Sequence, residues 1–281
     1  MPDVSLIVSF YNRVDYLRLV LAALKRQSFQ DFQVIIADDG STKDAVREIE
    51  KLSATVPFEM IHVWQEDHGF RKNKILNKAI TVAAGNYLIF IDGDCIAHKE
   101  FVKEHYSNKA PKTCLTGRRV NLSEGLTNQL TPQKIEEGYL ETHTASLIID
   151  SIFGKTFDVE QGFYFRSQFL RRIVNRKKRG ILGSNFSLYK ADILSINGFD
   201  ERYEEPGIGE DTDIQYRLEL SGVQMKSLNN IAIQYHLYHE LQERSGKNLE
   251  LYTEVKASKQ FFTPFGIEKS AYRSLTHFGG I

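Results

Sequence analysis

Uninterrupted apolar runs alternate with amphipathic stretches over the first 120 residues of the chain. The runs are typical of strands in a sheet buried on both faces; they cover residues 4–10, 32–37, 58–64 and 87–91. The amphipathic stretches carry apolar residues every three or four positions, which predicts helices; they cover residues 14–27, 44–52 and 71–84. Strands that alternate with helices pair in parallel through right-handed crossovers. We therefore predict an α/β fold with a doubly wound, mostly parallel central sheet flanked by helices.

The pattern is less regular beyond residue 100. Helices are predicted at residues 101–109, from Pro132 onward, in parts of 135–152, at 214–220 and at about 249–262. Strands are predicted at residues 113–120, at 181–188 with an interruption at Gly183, and at 231–235. No internal repeat and no low-complexity linker divides the chain, so we expect one compact domain rather than two.

Acidic residues follow two of the predicted strands. Asp38 and Asp39 come directly after the second strand, and Asp92-Gly93-Asp94 follows the fourth. In open α/β sheets the ligands bind at the carboxyl ends of the strands. Because two carboxylates within one turn repel each other, a divalent cation is the simplest partner for Asp92 and Asp94. A solvated Asp-Gly-Asp turn is the alternative interpretation.

The composition excludes several classes of protein. Lys and Arg (36) balance Asp and Glu (36), which argues against a dedicated nucleic-acid binder. The two cysteines, Cys95 and Cys114, are too few for a disulfide framework, and a reducing cytosol is expected. Neither a signal peptide nor an apolar stretch of roughly 18 residues is visible. The glycine motifs of dinucleotide-binding and P-loop proteins are absent as well.

Residues 166–179 form a basic segment. Seven of its fourteen residues are basic and four are apolar. Such a segment fits an amphipathic helix on an anionic membrane surface, and it fits a groove for a polyanionic acceptor equally well. An ordinary solvated face is the third interpretation, and the sequence leaves all three open.

Seven short motifs occur along the chain in a fixed order. They are Ser9-Phe10-Tyr11-Asn12, Asp38-Asp39-Gly40-Ser41, Gly69-Phe70-Arg71 with Asn77, Asp92-Gly93-Asp94, Gly183-Ser184-Asn185, Asn197-Gly198-Phe199-Asp200 and Glu210-Asp211. Together they resemble the nucleotide-sugar glycosyltransferases of GT-A fold, in particular the bacterial family-two enzymes. The second half is similar to the C-terminal module of galactosyltransferases. The resemblance covers about residues 3–240 and rests on all seven motifs in register.

The resemblance implies two halves within one domain. Residues 1–120 would bind the nucleotide sugar, and residues 121–281 would bind the acceptor and carry the catalytic base. Asp38 or Asp39 would accept a hydrogen bond from the uracil N3–H. The base pocket would be lined by the first motif, that is by Phe10, Tyr11 and Asn12.

The same resemblance implies which residues contact the diphosphate and the sugar of the donor. Arg71 is implied near the diphosphate, because a guanidinium matches phosphate oxygens. Its neighbours Lys72 and Lys74 fit simple surface charges. Gly183 and Asn185 are implied beside the donor sugar.

The resemblance also implies a metal ion and a base. Asp94 would ligate Mn²⁺ or Mg²⁺, with His236 and His239 as further ligands, and Asp92 would reach the ribose or the metal. In the acidic pair, Asp211 would be the general base and Glu210 would hold an acceptor hydroxyl.

The function implied is that of an inverting, metal-dependent glycosyltransferase. It would move a hexose or N-acetylhexosamine from a UDP-sugar to a hydroxyl of a glycan or lipid-linked glycan, in the synthesis of cell-surface polysaccharide or lipopolysaccharide. The expected place is the bacterial cytoplasm, with residues 166–179 open to peripheral contact with the inner membrane face. A catalytically inactive GT-A-fold protein that binds sugar nucleotide or glycan is the alternative. An aspartate-nucleophile phosphatase is disfavoured, because Cys95-Ile96-Ala97 follows the second aspartate where that class has a threonine.

Overall fold

The computed structural model describes residues 2–176, 179–207, 209–240 and 246–268. These residues form ten strands: β1 (Val4–Phe10), β2 (Phe32–Asp38), β3 (Met60–Trp64), β4 (Tyr87–Asp92), β5 (Cys95–Ala97), β6 (Thr113–Thr116), β7 (Arg118–Asn121), β8 (Phe186–Tyr189), β9 (Gln224–Ser227) and β10 (Ile233–His236). They also form twelve α-helices: α1 (Val14–Lys25), α2 (Lys43–Ser53), α3 (Lys72–Val82), α4 (Phe101–Ser107), α5 (Glu124–Asn128), α6 (Pro132–Glu136), α7 (Tyr139–Thr142), α8 (Thr144–Phe153), α9 (Gln168–Val174), α10 (Lys190–Ser195), α11 (Glu210–Leu220) and α12 (Lys247–Ser258).

Seven strands form the main sheet, in the order β3-β2-β1-β4-β8-β6-β9. The first four strands in this order pair in parallel, β8 runs antiparallel to both of its neighbours, and β9 is parallel to β6. A second sheet contains three strands in the order β5-β10-β7. The predicted doubly wound, mostly parallel α/β sheet is therefore confirmed, with one antiparallel strand inserted into it.

Both faces of the main sheet are covered by helices. Leu6 and Val8 of β1 pack in a core with residues of α1 and α2, whereas Ile7 packs on the opposite face with residues of α3 and α11. This burial explains why the strands read as continuous apolar runs rather than as alternating patterns.

The strand order reverses between β1 and β4, and such switch points are where open α/β sheets bind ligands. The register brings the carboxyl ends of three strands together there: Ser9 is paired with Asp92, and Phe10 with Asp38. Polar residues from distant parts of the sequence thus share one edge of the sheet.

Two predicted strands are wrong in extent. The strand predicted at residues 113–120 is two strands in different sheets, β6 and β7, separated by Gly117. A Cβ atom at Gly117 would lie 2.4 Å from the side-chain oxygen of Asn185, so only glycine fits this crossing point. The strand predicted at 181–188 begins only at Phe186, because the preceding residues turn away and Ile181 N–H donates to Gln215 instead.

The C-terminal helix and the basic segment also differ from prediction. Helix α12 covers Lys247–Ser258 rather than residues 249–262, and Lys259 leaves helical geometry with a φ of 52°. Within the basic segment only Gln168–Val174 is helical in the described part. Among the described residues, no helix combines the length and apolar character needed to cross a bilayer.

Candidate active site

A cleft of about 890 Å³ opens at the switch point of the main sheet. Residues from the ends of β1, β2 and β4 line it, among them Phe10, Asp39, Asp92 and Asp94. His239 closes one side of the cleft. The structure therefore places six of the fourteen predicted site residues in one cleft, although they come from distant parts of the chain.

Asp39 is a buried carboxylate that lines the cleft at the end of β2. It is 9% exposed and accepts hydrogen bonds from the Arg71 backbone N–H at 2.8 Å and from Gln65 Nε2 at 2.6 Å. Burial raises the pKa of Asp39 above its usual value. Tyr11 is half exposed beside it, with its hydroxyl donating to Asp67 at 3.0 Å. A planar base could be held here by a carboxylate acceptor and an aromatic ring.

The side chains of Asp38 and Asn12, by contrast, accept hydrogen bonds from the backbone of the loop that follows β2. Asp38 is fully buried, and its two oxygens contact Ser41 N–H at 2.9 Å and His62 Nε2 at 2.9 Å. Asn12, with a φ of 56°, accepts from Thr42 N–H and donates its own N–H to Ser41 Oγ. Both oxygens of Asp38 therefore have partners within the protein, and Asp38 does not line the cleft. Of the two aspartates named from the sequence, Asp39 is the one that reaches the cleft.

Asp94, His236 and His239 form a compact triad. Oδ2 of Asp94 lies 3.4 Å from Nε2 of His236 and 3.2 Å from Nε2 of His239, and the two histidine nitrogens are 3.2 Å apart. Metal–ligand bonds of about 2.0–2.2 Å at right angles place neighbouring ligands roughly 3 Å apart, so this set fits a divalent cation. Burial alone would raise the pKa of Asp94, but hydrogen bonds from both histidines outweigh it and hold the pKa well below its usual range.

The neighbouring Cys95 also approaches this triad. The ligand atoms of Asp94, Cys95 and His236 lie within 4.8 Å of one another, and the thiol lies 3.4 Å from Oδ1 of Asp94. Burial, however, raises the pKa of Cys95 well above its usual value. Since a thiol binds metal as the thiolate, Cys95 is better placed as a hydrogen-bond donor to Asp94 than as a ligand.

Lys72 links Asp92, which lines the cleft, to Glu210 of the acidic pair. Its Nζ lies 3.0 Å from Asp92 Oδ1 and 3.1 Å from Glu210 Oε1. Burial opposes the ammonium's charge, but Asp92 and Glu210 outweigh it and raise the pKa of Lys72. Ser9 Oγ donates to the same oxygen of Asp92 at 2.5 Å. Lys72 therefore stays a cation between two carboxylates.

The acidic pair opens helix α11. Burial raises the pKa of both Glu210 and Asp211, and in Asp211 the charge of Lys72 and hydrogen bonds from the backbone N–H groups of Gly183 and Thr212 partly offset it. The second oxygen of Glu210, Oε2, is buried and has no hydrogen-bond partner among the described residues. A buried acceptor of this kind is costly unless a ligand satisfies it. The pair is thus suited to bind a hydroxyl and to remove its proton.

The side chains of two predicted site residues, Arg71 and Asn185, are held by contacts within the protein and do not line the cleft. The Arg71 guanidinium pairs with Glu204 at 3.2 Å and donates to the Phe70 carbonyl, rather than pointing freely into the cleft. Asn185 is fully buried, and its amide bridges Arg118, Ala232 and His105 at 3.0–3.1 Å. Asn185 therefore joins the two sheets. Gly183, from the same motif, lies beside the acidic pair: a Cβ atom added to it would be 3.4 Å from Glu210 Oε1.

Lys72 lies between two carboxylates, whereas the sequence predicts a simple surface charge there. One signal was present: Lys72 is the first residue of α3, whose first turn contains no acidic residue. A cation at a helix N-terminus opposes the helix dipole and needs a compensating partner. The partner, Glu210, lies 138 residues away in the sequence, so only the fold reveals it.

Sequence comparison places most of the chain in a known family. The family model described as glycosyl transferase family 2 matches residues 5–194. A second model, described as the N-terminal domain of galactosyltransferase, matches residues 172–240, which include the acidic pair and both histidines.

The chondroitin synthase of Escherichia coli is 26% identical over 265 residues, which cover 89% of this chain and 36% of that protein. The chain spans between 36% and 53% of the length of three curated relatives that it matches.

Solved structures show the same fold. The structure of S. aureus TarS 1–349 in complex with UDP-GlcNAc has a TM-score of 0.57 at 17% identity, covering 92% of this chain and 66% of that chain. A mannosyltransferase of Pyrobaculum calidifontis in complex with GDP-Man and Mn²⁺ has a TM-score of 0.57 at 12% identity, covering 92% of this chain and 70% of that chain. The chain thus has the GT-A fold.

Proposed function

The chain belongs to glycosyl transferase family 2, and we propose that it is an active, inverting glycosyltransferase that depends on a divalent cation. Its donor would be a UDP-sugar carrying a hexose or N-acetylhexosamine, and its acceptor a hydroxyl of a glycan or lipid-linked glycan. The product would enter cell-surface polysaccharide or lipopolysaccharide, made in the bacterial cytoplasm. The observation that carries the proposal is the contact of Lys72 with both Asp92 and Glu210, which joins a nucleotide cleft to a buried acid pair.

The donor assignment rests on the cleft and on the structural neighbours. Asp39 offers a buried carboxylate to an imide N–H, and Tyr11 offers a half-exposed ring. A uracil presents both the N3–H donor and the planar face that such a pocket satisfies. The neighbour TarS was solved with UDP-GlcNAc, which supports the same donor class here.

A metal ion would be held by Asp94, His236 and His239. A carboxylate with two imidazoles suits Mn²⁺, and the Pyrobaculum neighbour was solved with that ion. When bound there, the cation would stabilise the charge that develops on the departing diphosphate. Before the ion binds, hydrogen bonds from the two histidines keep Asp94 ionised, which is the form that ligates a cation.

Asp211 would act as the base in a single displacement. The acceptor oxygen attacks the anomeric carbon on the face opposite to the diphosphate, the bond to the diphosphate oxygen breaks, and the hydroxyl proton passes to the Asp211 carboxylate. The burial that raises its pKa makes it a stronger base than a solvated aspartate. Glu210 would orient the acceptor through its unpartnered Oε2, and direct displacement inverts the anomeric configuration.

The experiment is a screen of UDP-sugar donors by mass spectrometry, with Mn²⁺ and a set of glycan acceptors. NMR of the product then gives the anomeric configuration. A transferred sugar with inverted configuration supports the proposal, whereas a retained configuration overturns the single-displacement mechanism. UDP-sugar binding without turnover of any donor would favour the alternative, a catalytically inactive binding protein.

A further inference from the structure

Large exposed apolar side chains are concentrated in one stretch of the chain. Eighteen such residues are exposed among the described residues, and nine of them lie between residues 148 and 173. They are Ile148, Ile149, Ile152, Phe153, Phe157, Phe163, Phe169, Leu170 and Ile173. Scattered exposed apolar residues need no explanation, but a concentration of this size marks an interaction surface.

Helix α8 presents these residues as one stripe. At about 100° per residue, Ile148, Ile152, Ile149 and Phe153 cover an arc of about 140° on one side of the helix. Phe153 is 85% exposed and Ile152 is 67% exposed. Leu147, on the other side, is 2% exposed and lies in the core with Val120 and Tyr235. The helix thus turns its apolar side outward even though its inner side is already packed.

Helix α9 has the same organisation with cations added. Phe169, Ile173 and Leu170 occupy an arc of about 100°, and Arg172 lies about 60° from its edge. Arg171, on the opposite side, is bound by Glu104 at 2.6 Å and 3.0 Å, which anchors the helix to α4. An apolar arc bordered by exposed arginines is the arrangement of helices that lie in a membrane interface.

The charges of this region are unbalanced. Residues 144–180 contain eight Lys and Arg and three Asp and Glu, in a chain whose overall charge is zero. Arg166, Arg172, Arg176 and Arg179 have no ion-pair partner among the described residues, and all four are exposed. A partner for this surface must therefore be apolar and negatively charged. An anionic lipid bilayer has both properties, and each basic residue near its surface strengthens binding by about fivefold.

The inner side of the region is fixed to the catalytic domain. Phe157 pairs with Asn121 of β7, whose other neighbour β10 ends at the proposed metal ligand His236. Asn230 donates to the Glu160 and Phe163 carbonyls and accepts from Phe165 N–H through its own carbonyl. The apolar surface is thus held in a fixed position on the sheet that carries part of the active site.

We propose that α8 and α9 form a docking surface for an anionic lipid membrane, with the apolar side chains in the interface and Arg172 and Arg176 against the headgroups. The surface extends the segment suspected from the sequence, residues 166–179, to helix α8. The proposal depends on neither the donor nor the metal.

The experiment is co-sedimentation of the full chain with phosphatidylglycerol–phosphatidylcholine vesicles and with pure phosphatidylcholine vesicles. We expect binding to the anionic vesicles that weakens with salt, and little binding to the neutral ones. Ile152→Ser/Phe153→Ser should lower the vesicle affinity at least about tenfold. Arg172→Gln/Arg176→Gln should lower it about 25-fold, at about fivefold per arginine.

Matched controls on other surfaces are Leu249→Ser and Arg47→Gln, both exposed, and neither should change vesicle binding. Circular dichroism, measured in parallel, checks that each variant is folded. Absence of binding to anionic vesicles would overturn the proposal, as would binding that both double variants retain. Light scattering tests whether a second copy occupies the surface instead. That result would be a dimeric parent that does not bind vesicles, with a monomeric Ile152→Ser/Phe153→Ser variant.

Discussion

Lys72 Nζ and Glu210 Oε1 are 3.1 Å apart, although 138 residues separate them in the sequence. The contact joins the first residue of α3 to the first residue of α11. The same ammonium also contacts Asp92. One cation therefore neutralises a carboxylate in the cleft and a carboxylate of the acidic pair. A change at Lys72 should therefore affect stability and transfer together.

Lys72→Met should destabilise the protein and strongly reduce transfer. The substitution leaves two buried carboxylates without their cation, and removing one partner of a buried ion pair costs about 3–5 kcal/mol. Chemical denaturation at pH 7 measures the loss. Lys74→Met on the same helix is the control and should cost far less. In Lys72→Met/Glu210→Gln part of the stability should return, and strictly additive losses would show that the two residues do not interact.

Asp39→Ala should lower UDP affinity by at least about tenfold, because a hydrogen bond to a charged group contributes about 1.5–3 kcal/mol. Calorimetry with UDP and Mn²⁺ measures this affinity. Asp38→Asn is the control: its side chain is used by Ser41 and His62, so we expect lower stability with UDP affinity nearly unchanged in the folded fraction. The reverse outcome, with Asp38 controlling UDP affinity, would refute the assignment of Asp39.

Asp211→Asn should abolish transfer while UDP affinity stays almost the same, since the base does not contact the nucleotide. The parent's kcat/KM should rise with pH along an acid limb displaced above the pKa of a solvated aspartate, because burial raises the pKa of Asp211. The raised pKa of Asp211 also makes the free energy of unfolding depend on pH. Folding favours the protonated form, and this contribution is lost as pH rises through the folded-state pKa.

The uncharged Asp211→Asn variant should accordingly be at least as stable as the parent at pH 7. Thermal unfolding at pH 7 measures this, with Asp44→Asn on the exposed end of α2 as the control. A marked loss of stability in Asp211→Asn would show that the carboxylate has a structural role instead.

His239→Ala should reduce Mn²⁺-dependent UDP affinity by at least about tenfold, a loss typical for weakened metal sites. Cys95→Ser should leave that affinity within about twofold, since the buried thiol stays protonated beside Asp94. Calorimetry of both variants decides between the two ligand sets. Loss of Mn²⁺ dependence in Cys95→Ser, with His239→Ala unaffected, would place the thiol in the metal site.

The fold of the first half was predictable, since its strands are buried on both faces and therefore read as apolar runs. The family resemblance likewise implied roles for Asp38 or Asp39 and for Asp94, Glu210 and Asp211, and of these two neighbouring aspartates only Asp39 lines the cleft. Predictions failed where the cause lies far away in the sequence. The Asn185 side chain leaves no room for a Cβ atom at position 117, and Lys72 is paired with Asp92 and Glu210. Neither relationship leaves a periodic signal in the local sequence.

The most direct test of the central claim is UDP release from a panel of UDP-sugars, measured for the parent and for Asp94→Ala with Mn²⁺ and with EDTA. We predict slow hydrolysis of one donor by the parent with Mn²⁺, faster release once an acceptor is added, and none with EDTA or in Asp94→Ala. No UDP release from any donor, together with UDP binding that EDTA does not change, would contradict the assignment of a metal-dependent glycosyltransferase.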